Sequence, residues 1–171
     1  MPIIKHRQQR VGVFIDAQNL YHSAKHLYRG NVNFDALMKE AVGNRQLIRA
    51  FAYAITTESG EEQTFLDALA KHGIETRTKD LQIFYGGAKK ADWDVGIAVD
   101  AIRMAPKLDA IILVSGDGDF VPLVEYLKNN TQVEVVAFGR SSSAKLKEVA
   151  DDFIDMDLDP KKYVFGARRR K

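Results

Sequence analysis

Residues 109–130 read "DAIILVSGDGDFVPLVEYLKNN". The stretch 109–115 is apolar and strand-like, and "DFVPLVEYLKNN" is helical, with Pro122 in the first turn where its missing N–H costs nothing. Between them lies "SGDGD", which sets Asp117 and Asp119 one residue apart just past a buried strand. Glycine and aspartate suit such a turn for backbone geometry alone. The chemical meaning of the pair depends on whether other carboxylates converge on it.

The same strand-then-helix order recurs along the chain. "VGVFID" (11–16) is a short β-forming run, and "AQNLYHSAKHLY" then spaces Leu20, Ala24 and Leu27 at helical intervals, with Gly30 and Asn31 as the stop. Asn33 caps "FDALMKEAV", where Phe34, Leu37, Met38 and Ala41 form an apolar stripe. "LIRAFAYAIT" (47–56) is a second strand, and "SGEEQTFLDALAKHG" is a helix opening at Ser59 and closing on Gly73. Residues 74–85 are a third strand or an irregular pair around Asp80. The segment 92–105 is a helix with Val95, Ala98 and Ile102 on its stripe and Pro106 at its end. "VEVVAFG" (133–139) is a further strand, a short helix follows with Ser142 or Ser143 as its cap, and "FIDM" (153–156) is an edge strand. This alternation predicts an α/β sandwich whose mostly parallel central sheet is flanked by helices.

Composition narrows the class. A chain of 171 residues suits one domain, and zero cysteines exclude disulfides, thiolate metal sites and cysteine nucleophiles. The N-terminal residues hold no signal-peptide pattern, and no apolar run approaches the ~20 residues of a membrane span. The expectation is a soluble, cytoplasmic protein with no membrane association. The net charge of +2 is unevenly spread: +3 in residues 1–10, +6 in residues 160–171, and −7 between. We therefore divide the chain into a basic N-terminal segment (1–10), one domain (11–158) and a basic C-terminal tail (159–171). The ends are solvated tails or arms for a polyanion. The exposed edge near 153–156 offers a pairing surface for a homo-oligomer.

In open α/β sheets the site lies at the carboxyl ends of the strands, where strand order reverses. Asp16 ends the first strand, Asp117 and Asp119 follow the strand at 110–115, and Asp94 begins a helix. If the two strands are neighbours, these acids crowd together and repel unless protonated or neutralised. Such an all-oxygen set suits Mg²⁺ or Mn²⁺. Structural roles compete at each position: Asp16 as helix cap, Asp94 as a dipole-favoured helix start, Asp117 and Asp119 as turn residues, Asn19 as a surface residue. Asp100 lies about 240° round the helix from Asp94 and suits an ion pair with Arg103. Trp93 and Tyr85 suit base stacking or rim packing. His6, His22, His26 and His72 have no ligand spacing and read as surface residues.

"FIDAQNL" (14–20), "KKADWDVGIAVD" (89–100) and "VSGDGDFVPLV" (114–124) resemble the three signature segments of the NYN domain, in particular its LabA-like branch within the PIN-like nuclease superfamily. The resemblance implies a Rossmann-like sheet, one or two Mg²⁺ or Mn²⁺ ions, and hydrolysis of RNA. The implied acidic set is Asp16, Asp94, Asp117 and Asp119 with Asn19 beside it, and Asp92 competes for the place of Asp94. Asp100 is kept as an outer member. Ser115, Gly116 and Gly118, with Lys89 and Lys90, would contact substrate phosphate. The competing reading is a silent PIN-like regulator that binds nucleic acid or protein without turnover. A receiver-like phosphoacceptor fits poorly, because Ala17 follows Asp16 and "GRSS" follows the last long strand.

Overall fold

The computed structural model describes residues 3–60, 62–83, 89–90 and 92–166. Its elements in chain order are β1 (Arg10–Asp16), α1 (Ala17–Tyr28), β2 (Asn31–Val32), α2 (Phe34–Val42), β3 (Gln46–Thr56) and α3 (Gln63–Lys71). Then come β4 (Glu75–Asp80), β5 (Gln82–Ile83), β6 (Lys89–Lys90), α4 (Asp94–Met104), β7 (Ala110–Val114) and α5 (Val121–Leu127). The chain continues through β8 (Gln132–Ala137), α6 (Ala144–Val149), β9 (Asp152–Asp155), α7 (Pro160–Tyr163) and β10 (Val164–Phe165).

The central sheet runs β4-β3-β1-β7-β8-β9, and every pairing in it is parallel. Strand order reverses between β1 and β7, so the two strands carrying the predicted acids are neighbours there. One face buries Val13, Ile15, Ala52, Ile112 and Val114 under α1 and α2; the other buries Phe14, Tyr53, Ile111 and Leu113 under α4, α5 and α6. The strands at the centre are covered on both faces, so β7 is apolar throughout and β1 is apolar between Arg10 and Asp16. A register shift between Val11 and Gly12 leaves Ile48 of β3 unmatched, while β1 keeps its alternation, with Val11, Val13 and Ile15 on one face. Past it, Asp16 shares the parity of Phe14, whose side faces the α4 layer.

Four local expectations differ from the structure. The buried stripe of α4 is Ile97 and Ala101 with Trp93 packed behind them, while Val95 is 76% exposed and Ile102 is 42% exposed. The indole of Trp93 sets the helix rotation by folding back over Gly96, where a Cβ would lie 2.6 Å from the ring. Ser59 does not cap α3; its hydroxyl meets that of Thr57, and the helix begins at Gln63. At the end of α1 the left-handed residue is Arg29 (φ 52), not Gly30. The basic ends are partly folded: Lys5 bridges Glu134 and Asp152, and β10 pairs antiparallel with β2, burying Tyr163 and Val164. Lys162 is held by Glu40 at 2.7 Å. The tail predicted from 159 therefore packs on the body through 165.

Candidate metal centre

The site forms where three chain segments meet above the gap between β1 and β7. Asp16 ends β1 and caps α1, accepting the Asn19 N–H at 3.3 Å. Its second oxygen accepts the Ser115 hydroxyl at 2.9 Å, and that hydroxyl accepts the Asp117 N–H at 3.2 Å. The Asn19 carbonyl oxygen accepts the Gly116 N–H at 3.0 Å, tying the start of α1 to the turn after β7. Asp117 Oδ1 accepts the Asp119 N–H at 2.9 Å. Asp94 is the first residue of α4, and its N–H is taken by Asp92 at 3.1 Å. One carboxylate oxygen from each of Asp16, Asp94 and Asp117 lies within 4.8 Å of the others.

Among the described residues none of the ion pairs engages Asp16, Asp94, Asp117 or Asp119. Burial is the main force raising the pKa of Asp94 to about 7, and the charges of Asp117, Asp92, Asp16 and Asp119 push the same way. Asp16, 7% exposed, is also raised, first by burial; its bonds from Ser115 and Asn19 oppose the shift. Carboxylates this close, with no side-chain cation to balance them, fit a hard divalent cation with oxygen ligands. The starts of α1 and α4 add fixed positive dipole at the same point.

The remaining candidates fall into three groups. Asp119 is exposed at the rim, close enough to raise Asp94. Asp92 caps Asp94 from outside the three-acid cluster. Asp100 sits elsewhere, accepting the Tyr53 hydroxyl at 2.7 Å and pairing with Arg77 at 3.3 Å, so the outer-shell role and the Arg103 pair give way to this one. Ser115 is fully buried, so its hydroxyl supports Asp16 instead of facing substrate. The Gly116 amide is likewise committed to Asn19. A Cβ at Gly116 would strike Ser142, and one at Gly118 would lie 3.0 Å from Ser143, so both glycines admit the loop before α6. Lys89 and Lys90 form β6, paired antiparallel with β5. Trp93 is a rim residue, donating to the Ala54 carbonyl at 2.9 Å with Lys79 Nζ 4.6 Å above its ring. Tyr85 lies outside the described residues. The four histidines are exposed, and His22 meets Gln18 Nε2 at 3.0 Å.

Two contributors escaped the sequence reading. Gly96 lets Trp93 wall the site, and a glycine inside a helix, costing ~1 kcal/mol against alanine, was its signal. Asp155 accepts the Gly139 and Asp157 N–H groups and anchors the loop that packs on Gly116, a role with no local sequence mark. A roomier groove of about 480 Å³, lined by Arg10, Ile102, Tyr126 and Thr131 among others, lies at the amino ends of the central strands, away from the acids.

Comparison with known proteins agrees with this geometry. The NYN domain family model matches residues 10–157. The low amplitude and bright protein LabA of Synechococcus elongatus is 28% identical over 162 residues, covering 88% of this chain and 86% of LabA. A crystal structure of a protein of unknown function, VPA0982, from Vibrio parahaemolyticus is 33% identical, with a TM-score of 0.84 over 95% of this chain and all of that one. With its parallel sheet, its acidic crevice at the switch point and a family match across most of its length, the chain belongs to the NYN domain family, as a LabA-like member.

Proposed function

We propose that this protein is a metal-dependent ribonuclease that hydrolyses phosphodiester bonds of RNA at Asp16, Asp94 and Asp117. The observation that carries the reading is the close approach of three carboxylates at the switch point, none of them in an ion pair among the described residues. A Mg²⁺ or Mn²⁺ ion held by these three residues would supply Lewis-acid polarisation of a phosphate oxygen and lower the pKa of a bound water.

The chain's own residues do the positioning. Ser115 and the Asn19 N–H fix both oxygens of Asp16, so its carboxylate is oriented before any ligand arrives. Asp117 is half-committed, with one oxygen on the Asp119 N–H and the other left to the cluster. Asp119 at the rim orients water or the incoming phosphate. Asn19 acts by holding the Gly116 backbone, so its contribution is placement of the turn that carries Asp117. Lys79 above Trp93 adds positive charge beside the crevice, which an RNA strand requires next to so many acids.

The test is cleavage of single-stranded and hairpin RNA by the full chain with Mn²⁺ or Mg²⁺, beside EDTA and Asp117→Asn. We expect divalent-dependent cleavage, abolished by EDTA and reduced at least ~100-fold in the variant, whose RNA binding is retained. Binding without cleavage in the native protein would favour the silent-regulator reading instead.

A further inference from the structure

Beside the acids, on the α1 side of the crest, lies a cavity of about 120 Å³ lined by Gln18, Tyr21, His22, Glu62 and Phe65 among others. Ala17, the residue after Asp16, forms part of its wall. The cavity thus begins about one residue step, ~3.8 Å along the chain, from a proposed metal ligand. Small-molecule sites usually span ~300–1,000 Å³, so this one is too small for a nucleotide and has room for one planar ring system.

The lining has the parts that hold a base. Tyr21 and Phe65 meet edge-on with centroids 5.4 Å apart, and Tyr21 lies 5.7 Å from the His22 ring, giving apolar walls on which a base can stack. Gln18 and His22 are joined at 3.0 Å, which holds the amide at one edge. Hydrogen bonding from Thr57 keeps Glu62 ionised, below its ordinary range, so its carboxylate only accepts. An acceptor-only carboxylate matches an exocyclic amino group and opposes the carbonyl edge of uracil.

We propose that this cavity is a base-reading subsite that takes an amino-bearing nucleobase, adenine, cytosine or guanine, of the strand whose phosphate lies at Asp16. The inference rests on the ribonuclease reading and adds a sequence preference at one position next to the cut.

The experiment uses short RNAs made of uridine with one adenosine, cytidine or guanosine at a central position. Each is followed for cleavage in Mn²⁺ and, separately, for equilibrium binding in Ca²⁺. The native chain should cut at one fixed offset from the amino-bearing base, about tenfold faster than in all-uridine RNA, and bind it with a matching preference. Glu62→Gln, on the surface, and Tyr21→Leu should each flatten both preferences while the all-uridine rate and the melting temperature hold. Preferences that survive in both variants, or no preference in the native chain, overturn the subsite. No cleavage but a binding preference lost in Glu62→Gln supports the subsite and removes the nuclease reading; cleavage with no such preference does the reverse.

Discussion

Two buried carboxylates in interior strands of the same sheet, one near the start of β8 and one at the end of β1, are treated in opposite ways. Glu134, fully buried near the start of β8, receives two bonds from Arg45 at 2.8 and 2.9 Å and one from Gln132 at 3.0 Å, with Lys5 at 3.4 Å. Arg45 in turn donates to the carbonyls of Ala41 and Val42, so the pair is fully satisfied. Asp16, at the end of β1, has only dipoles around it and other acids across from it. Desolvating a charge is costly unless it is paired. The first offsets that cost within the chain and fastens α2 to β8. The second leaves it standing, so an added cation gains what the fold gives up.

The largest expected effect breaks the satisfied pair. Arg45→Met strips Glu134 of its bidentate partner, leaving it buried beside Lys5 and Gln132, and should lower unfolding free energy by up to ~3–5 kcal/mol, measured by denaturant titration. Adding Glu134→Leu should recover most of the loss, since no charge is then stranded. Recovery of nothing would mean that the pair acts through its backbone bonds to Ala41 and Val42.

The same kind of change at the other carboxylate should have the opposite sign. Asp16→Asn removes a buried, unpaired charge while keeping its size, and should raise metal-free stability by ~0.5–2 kcal/mol while abolishing cleavage. A destabilised variant would show that Asp16 serves mainly as the cap of α1.

The smallest effect sharpens the contrast through pH. Asp94 has a folded pKa of about 7, above its ordinary 3.8, so folding favours its protonated form. Its contribution is fully present below pH ~4 and is lost as pH rises through 7. The metal-free protein should therefore lose melting temperature across that window, and millimolar Mn²⁺ should reverse the trend near pH 7. At one hundred times the dissociation constant the gain is ~2.7 kcal/mol. Asp94→Asn should flatten both responses.

Much of this site is legible in the chain because it is local. A strand ending in Asp16 and the turn "SGDGD" after β7 are patterns of a few residues, each with its own backbone logic. Alternation of strand and helix puts both at the carboxyl ends of a parallel sheet, and the pairing of β1 with β7 then makes them neighbours. The C-terminal segment shows the converse. Its lysines mark it as a solvated tail, yet Tyr163 and Val164 find a surface on β2 and α2 that only the folded body presents.

What tertiary structure alone decided is which acid of the third segment joins the cluster. Asp92, Asp94 and Asp100 are all compatible with the spacing of "ADWDVGIAVD". Helical periodicity gives the angle between residues of one helix but not the helix's rotation against its neighbours, because that depends on what it packs upon. Here Trp93, laid over Gly96 and against Tyr53 at 5.4 Å, turns Ile97 and Ala101 inward and exposes Val95. That rotation aims Asp94 at Asp16 and Asp117, and it sends Asp100 to Tyr53 and Arg77. The burial of Ser115 is of the same kind: its neighbours in sequence are a flexible turn, while its neighbours in space are Asp16 and the backbone of Asp117.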